Sequence, residues 1–272
     1  MSSQILETAV NKLRRAYKAV LLQICHNLEK AQLQELRFYY SSPLAKQDDE
    51  ALSILSSLED TEKITWEDVT FLKEGLCAIE RLDLAQKLTA FEIKRNLTIL
   101  LGFYARKRQG LDSCCWLSAS VRSIGEYLVN LTMELHRNRL DFTSGIRSIV
   151  DSKKSVKKVW VEFEENVERE LSLPWRKLTF LVVIFGEILA FALMDEEDRS
   201  KDVIERLLST VAEDLSGRMM KIGSWDEFCD HVEEINNLVY QQQTPQPDPD
   251  SLLVKHKIAE LVRQMKESTC FL

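Results

Sequence analysis

Side chains that could carry out catalysis are present, but their spacing does not build a recognisable reactive site. Adjacent carboxylates occur at Glu164–Glu165 and adjacent thiols at Cys114–Cys115. General acid–base catalysis requires a pocket that shifts the pKa of a carboxylate, whereas Glu164 and Glu165 lie in a charged helical pattern. The sequence contains no G-x-S-x-G turn, no glycine-rich phosphate loop and no H-E-x-x-H motif. We therefore expect a protein that is not an enzyme and that binds no cofactor.

The net charge indicates which class of partner is excluded, and the cysteines indicate the cellular compartment. A formal net charge of −7 argues against nucleic acid as the main partner, because phosphate binding needs a basic surface. The six cysteines are scattered, and no pair of them has the spacing of metal ligands. We expect free thiols, no metal site and a reducing, cytoplasmic location.

The most apolar stretch of the chain is 178–194, in which Glu187 is the only charged residue. It is slightly short for a membrane span, and the carboxylate would lie in the middle of the bilayer. We therefore predict a helix that is buried inside a globular domain. We also expect no C-terminal transmembrane anchor, because the helix predicted at 251–267 is amphipathic and carries basic residues.

The positions of helix breakers and of apolar residues predict an all-α protein. The chain contains only 8 Gly and 5 Pro, which favours long helices over a many-turned sheet. Apolar residues recur at three- and four-residue intervals over 4–26, as on one face of a helix. Six helices are predicted before Gly110, which should end both the sixth helix and the domain. The fifth and sixth helices cover 83–95 and 97–108, and Thr65 caps the fourth. Later helices are predicted at 116–137, 146–171, 175–194, 200–219 and 224–240, before a Pro-rich linker at 241–250 and a terminal amphipathic helix within 251–272.

Two short segments of the first predicted bundle carry a recognisable pattern. Residues 31–40 read AQLQELRFYY, and residues 80–88 read ERLDLAQKL, with Arg81, Asp83 and Leu84 spaced as R-x-D-L. These segments resemble the second helix and the start of the fifth helix of the death-effector domain, a member of the death-fold superfamily. Their order and separation also fit. The resemblance implies a six-helix death-fold bundle over residues 1–110.

The death-effector resemblance implies a surface that binds other proteins, with Phe38, Arg81, Asp83 and Leu84 on it. Its arginine and aspartate, here Arg81 and Asp83, pair through charge-assisted hydrogen bonds, and in the family an acid on the second helix completes the network. Gln32 occupies that place, so we expect the network to be incomplete. Phe38 matches an aromatic residue that some members expose on the second helix, and a core position is the alternative. The implied partners are death-effector-domain proteins, including adaptors and initiator caspase pro-domains.

A second pattern occupies the later part of the chain. Residues 170–177 (ELSLPWRK) and 222–228 (IGSWDEF) flank an apolar helix that contains Phe185-Gly186. They resemble the first and second homology regions of the Bcl (B-cell lymphoma two) family, which line a groove for an amphipathic death-ligand helix. The resemblance implies a Bcl-like helical bundle over 111–240 with a buried central helix. The implied groove residues are Trp175, Arg176, Lys177, Phe185, Gly186 and Trp225. In the alternative interpretation the two tryptophans are core anchors.

The ligand-like helix of the Bcl family has two candidates in this sequence. Val121, Ile124, Gly125 and Glu126 resemble its L-x-x-x-G-D core, and residues 146–151 (IRSIVD) are a degenerate match. We prefer the first candidate, because the second leaves too little chain before the first homology region. The first candidate leaves no conventional first helix between the two domains.

Taken together, the residues and the two resemblances predict a non-enzymatic regulator or adaptor of apoptosis. It would use homotypic death-effector interactions and a Bcl-like groove for a death-ligand helix. The alternative is a scaffolding protein that acts through death-effector assembly alone, with a closed second domain. A helix at 251–267 that fills the chain's own groove is a third possibility.

Overall fold

The computed structural model describes residues 2–40, 51–111, 118–137, 174–194 and 201–241. Within these ranges the regular secondary structure is α-helical and contains no strand, so the all-α prediction is confirmed for the described part of the chain. The described helices are α1 Ser2–Asn27, α2 Lys30–Tyr39, α3 Ala51–Asp60, α4 Thr70–Ala78, α5 Leu82–Arg108, α6 Ala119–Arg137, α7 Pro174–Met194, α8 Lys201–Ile222 and α9 Trp225–Gln241. The predictions for 146–171, 242–250 and 251–272 lie outside the described residues.

The chain divides into two compact units, and the division falls inside α5. One unit is Leu6–Asn96, and the other takes in Leu97–Leu272 and Met1–Ile5. The sequence prediction placed the boundary at Gly110 instead. The end of α5 belongs to the second unit because its side chains pack against α6 and α7, as described below.

The first unit is built around one apolar cluster to which all of its helices contribute. The apolar face of α1 supplies Tyr17, Leu21 and Ile24, and the ring of Tyr17 lies 5.8 Å from that of Phe91 on α5. At the end of α2, the ring of Tyr40 stacks on Phe71 with centroids 4.6 Å apart. These contacts bury the apolar stripe that the periodicity of α1 predicts.

Three helices of the chain end in the same backbone arrangement, in which the residue after the cap has a positive φ. Glu62 (φ 53°) follows α3, Glu80 (φ 59°) follows α4, and Gly110 (φ 71°) follows α5. In each case the next N–H reaches back five residues to a helical carbonyl, as Arg81 N–H does to Leu76 O at 2.8 Å. This is the hydrogen-bond pattern of a Schellman motif. The prediction that Gly110 ends its helix is confirmed.

Helix α5 corrects the sequence prediction of separate helices at 83–95 and 97–108. It runs without interruption over 27 residues. Polar residues at the expected break are buried rather than exposed: the side chain of Arg95 donates to Asn96 Oδ1 at 3.0–3.1 Å and to the carbonyl oxygen of Trp66 at 2.9 Å. Because these contacts satisfy the polar groups, the helix continues through them.

The second unit has α7 at its centre, in agreement with the prediction of a buried helix at 178–194. Most side chains from Leu178 to Ala192 are buried. Helix α8 packs along α7, α6 packs on α7, and α9 packs on α6 and α7. The rings of Trp175 and Trp225 lie 6.1 and 5.6 Å from that of Phe228. Among the described residues, no helix combines the length and the hydropathy that a bilayer crossing requires.

Candidate protein-interaction site

Arg81 lies at the corner between α4 and α5 and connects three segments of the first unit. Its Nε and Nη2 donate to the two carboxylate oxygens of Asp83, each at 2.9 Å. Its Nη1 donates to Gln32 Oε1 at 2.7 Å and to the carbonyl oxygen of Asn27 at the end of α1. The positive φ of Glu80 turns the chain at this point and so directs Arg81 towards α1 and α2. The guanidinium is therefore fixed by planar, bidentate geometry.

Gln32 completes this network, so the expectation of an incomplete network is wrong in its geometry. Gln32 Oε1 accepts from Arg81 and also from the backbone N–H of Glu29, which begins α2, at 3.1 Å. An amide oxygen can occupy the acceptor position of a carboxylate, although it brings no charge. The Arg81 guanidinium also lowers the pKa of Asp83 to about 2 through its hydrogen bonds, and Asp83 in turn raises the pKa of Arg81.

Leu84 is not part of the surface, contrary to the sequence prediction. Its side chain is 0% exposed and belongs to the apolar cluster of the first unit. Asp83 precedes it in the first turn of α5 and is exposed. Because successive residues of a helix point about 100° apart, the segment exposes Leu82 and Asp83 and buries Leu84.

Phe38 is exposed, which removes the alternative that it belongs to the core. Its side chain is 87% exposed on the outside of α2, whereas Leu33 and Leu36 point into the core. Tyr39 beside it is 42% exposed. Glu35, one turn earlier, is also exposed. We call Glu35, Phe38 and Tyr39 the Phe38 face, an apolar surface with an acidic edge.

A pocket of about 600 Å³ opens on the α1 side of the first unit, and we call it the α1 pocket. The Arg14 guanidinium lies 5.2 Å from the ring centroid of Trp66, and Lys18 pairs with Glu59 at 2.7 and 2.8 Å. Burial and the nearby Glu59 raise the pKa of Tyr17 on the pocket floor. The residues that line the pocket are Arg14, Arg15, Tyr17, Lys18, Ala19, Leu22, Glu59, Ile64, Thr65 and Trp66. The pocket combines an apolar floor with three cations and one carboxylate.

The α1 pocket could not be predicted from the sequence, because one of its walls, residues 64–66, lies in a non-helical segment. Thr65 was predicted to cap a helix, but α4 begins only at Thr70. Instead, Thr65 Oγ1 accepts the N–H groups of Glu67 at 3.2 Å and Asp68 at 3.0 Å within a local turn. Arg95 holds the carbonyl of Trp66 from behind. The indication available in the sequence was the set of basic residues Arg14, Arg15 and Lys18, followed by Leu22 outside the apolar stripe of α1.

In the second unit, half of the predicted groove residues are buried. Phe185 is in the core, Trp225 is only 7% exposed, and a Cβ at Gly186 would overlap the ring of Tyr104. Trp175, Arg176 and Lys177 are half-buried in the first turn of α7. The interpretation of Phe185, Gly186 and Trp225 as an accessible groove lining is corrected, because neighbouring helices already cover them. The burial of Trp225 agrees with its alternative role as a core anchor.

The predicted ligand-like helix is α6, and its apolar face packs within its own unit. Val121 and Ile124 are buried, and a Cβ at Gly125 would overlap the ring of Phe103 on α5. Glu126 is half-buried. Gly125 and Gly186 therefore share one role: each lets a helix approach an aromatic residue of α5 closely.

A buried polar network joins α5, α6 and α7 in the second unit. The Tyr104 hydroxyl donates to Glu187 Oε1 at 2.6 Å and lies 2.7 Å from Thr132 Oγ1. Arg108 donates to both oxygens of Glu187 at 2.5 and 3.1 Å. Burial, followed by the charge of Glu187, raises the pKa of Tyr104 well above its ordinary value. The single charge of the 178–194 stretch thus has a structural role.

Three cysteines of the described residues are free thiols, and their surroundings offer no metal site. Cys25, Cys77 and Cys229 are free thiols, and burial raises the pKa of Cys229 to about 12. Among the described residues, no group of three or more His, Cys, Asp or Glu side chains is placed to hold a metal ion.

Comparison with known proteins identifies one region. The family model of the death effector domain matches residues 17–94, which end close to the boundary of the first unit at Asn96. No curated protein and no solved structure matches the chain. The Bcl resemblance of the second unit receives no support from these comparisons.

Proposed function

We propose that this chain, with a death effector domain at residues 17–94, is a non-enzymatic adaptor in the regulation of apoptosis. Its activity is homotypic association with other death-effector-domain proteins, including adaptors and initiator caspase pro-domains. The observation that carries the proposal is Phe38, which is 87% exposed on the helix where the family resemblance expects a contact residue. The free thiols at Cys25, Cys77 and Cys229 support a cytoplasmic location.

The first unit has two faces that complement each other. The Phe38 face offers an aromatic side chain with the exposed Glu35 one turn away. The α1 pocket offers Leu22 and Trp66 with the cations Arg14, Arg15 and Lys18 around them. Because the faces are made from different elements, their contact is heterologous and adds one copy to the next.

A comparison of contact free energies favours Phe38 as the residue that contributes most to binding. Full burial of a phenylalanine side chain contributes about 1.5–3 kcal/mol. The charges at the rim, such as Glu35 with Arg15, contribute less because they stay in water. We therefore assign affinity to Phe38 and orientation to the charged residues. The network around Arg81 has the same orienting role, because it fixes the start of α2 relative to α5.

The test is light scattering of the full chain over a range of concentrations. Phe38→Asp should reduce self-association strongly, because a charge would replace the apolar contact. Leu52→Asp is the matched control, since Leu52 is also an exposed apolar residue (53%) of the first unit but lies on α3, outside both faces. Equal assembly of wild type and Phe38→Asp would overturn the proposal.

For the second unit we keep the Bcl-like groove as a separate hypothesis. The support is its arrangement of α6, α8 and α9 around a buried apolar α7. The burial of Phe185 and Trp225 favours the alternative of a closed, scaffolding domain. Titration of death-ligand helix peptides onto the full chain separates the two: a dissociation constant below ~100 µM supports a groove, and weaker binding of all peptides supports the scaffold.

A further inference from the structure

Thr65 occupies an unusual position, because it is a hydroxyl residue in the wall of a cationic pocket. It lines the α1 pocket together with Arg14, Arg15 and Lys18. Its side chain is half-buried, and it lies in the irregular segment 61–69 between α3 and α4. The same pocket therefore contains an acceptor oxygen and the guanidinium and ammonium groups that bind phosphate best.

The residues after Thr65 suit a protein kinase that is directed by acidic side chains. Glu67 and Asp68 follow at the second and third positions, and both are exposed. Ser57 and Ser224 have acids at the same two positions, but Ser57 lies inside α3 and Ser224 caps the start of α9. A kinase must bind its acceptor segment in an extended form, and the segment around Thr65 has no helix to unwind.

We propose that Thr65 is a phosphorylation site and that its phosphate closes the α1 pocket to a second copy of the chain. In the modification, the bond between the γ-phosphorus of ATP and the bridging oxygen breaks, and a bond from that phosphorus to Thr65 Oγ1 forms. ADP leaves, and the hydroxyl proton passes to the base of the kinase. The effect on assembly rests on the proposed function; the modification itself does not.

The electrostatic effect of the phosphate follows from the charges that line the pocket. Three cations and one carboxylate, Glu59, line it before modification. A phosphothreonine adds a charge of about −1.5 to −2, which cancels the excess of positive charge. Its oxygens can accept from Arg14, Arg15 and Lys18 and, as Oγ1 does now, from the N–H groups of Glu67 and Asp68. The acidic edge of an incoming Phe38 face then meets a filled and neutralised pocket.

The experiment treats the full chain with Mg-ATP and an acid-directed serine/threonine kinase, and maps phosphate by mass spectrometry. Thr65→Ser keeps the acceptor and Thr65→Val removes it. We expect phosphate on Thr65 in the wild type and on Ser in Thr65→Ser, with none at this position in Thr65→Val. Absence of phosphate from Thr65 in the wild type, or its transfer to Ser57 instead, overturns the proposal.

Two readouts then test closure of the pocket. The phosphorylated chain should associate at least about 10-fold more weakly than the unmodified chain in light scattering. The rate of Lys18 acylation by an amine-reactive reagent should fall, relative to the exposed Lys87 on α5, because the phosphate pairs with Lys18. An unchanged Lys18 rate overturns pocket closure even if the chain does not self-associate. Suppose that Phe38→Asp abolishes self-association but phosphorylation of the wild type leaves it unchanged. The proposed regulation is then wrong, and the proposed function still holds.

Discussion

Gln32 shows that the shape of a side chain can preserve a network after its charge is lost. The amide oxygen accepts from Arg81 at 2.7 Å, in the place where an acid was expected. The prediction of an incomplete network rested only on the missing negative charge at position 32. The consequence is a network in which Asp83 is the carboxylate bonded to Arg81, while Glu29 adds a smaller electrostatic attraction.

The ion pair with Arg81 determines how Asp83 titrates. Its pKa is about 2, below the ordinary value of 3.8, so the carboxylate favours the folded state. The contribution is fully present above pH 3.8 and is lost as the pH falls through about 2. NMR titration of the Asp83 carboxyl should therefore show no protonation between pH 4 and 8. In Arg81→Gln the pKa should return towards 3.8; an unshifted pKa in the wild type would contradict the ion pair.

At the scale of elements, the ends of α3 and α4 carry a residue that is strained by its backbone. Glu62 and Glu80 adopt a positive φ at the position where Gly110 ends α5. Side chains with a Cβ are disfavoured in this region by roughly 1 kcal/mol. These two helix ends were not predictable, because glutamate is not a residue expected at a position with positive φ.

Glu80→Gly should therefore stabilise the chain by up to about 1 kcal/mol, since glycine adopts this conformation without a steric penalty. Chemical denaturation measures the free energy of unfolding. Glu74→Gly, inside α4 where φ is negative, is the control and should destabilise by about the same amount. If Glu80→Gly is the more destabilising of the two, the assignment of the helix end is wrong.

The contacts of α7 with the end of α5 lead to a second prediction at this scale. Gly186→Ala should destabilise by about 1–3 kcal/mol, because its Cβ would overlap the ring of Tyr104. Gly217→Ala, also within a helix but with open space around the added Cβ, should be neutral or stabilising. Thermal unfolding of both variants gives the comparison. Similar melting temperatures for the two would contradict the close approach of α7 to Tyr104.

The helices themselves were largely predictable from the sequence, and the exceptions have physical reasons. The apolar periodicity located α1, α6, α7 and α9, and Ser224 and Glu227 exchange the hydrogen bonds of a capping box at the start of α9. The continuity of α5 was not predictable, because Arg95 and Asn96 look like a break. Only tertiary contacts, above all Arg95 with the Trp66 carbonyl, allow them to be buried. The α1 pocket was not predictable for the same reason, since the irregular segment 61–69 forms one of its walls.

In the whole molecule, a single helix, α5, begins in the first unit and ends in the second. The family match ends at residue 94, while the side chains from Phe103 to Arg108 complete the second unit. A boundary at Gly110, as the sequence suggested, would cut the second unit away from its own contacts. The helical class followed from composition and periodicity, whereas the expectation of two domains came from the chain length and the two resemblances. The position of the boundary depended on long-range contacts of Tyr104 and Arg108.

A pair of truncated chains tests this boundary. The chain 97–272 keeps Phe103, Tyr104 and Arg108, whereas 111–272 removes them and exposes the positions they cover at Gly125 and Glu187. We expect a cooperative thermal transition for 97–272 and its loss, or a much lower melting temperature, for 111–272. Equal stability of the two would show that the end of α5 is dispensable.

If the Phe38 face of one copy occupies the α1 pocket of another, two variants that each lack one of these faces should associate only when they are mixed. Phe38→Asp keeps an intact pocket, and Leu22→Asp, which places a charge in the apolar part of the pocket, keeps an intact Phe38 face. Each variant alone should remain monomeric in sedimentation velocity, because one of its faces is disabled. An equimolar mixture should form 1:1 dimers and nothing larger, since one functional contact remains and cannot propagate. If the mixture stays monomeric, or if either variant assembles alone as the wild type does, the two faces do not bind each other and the account is wrong.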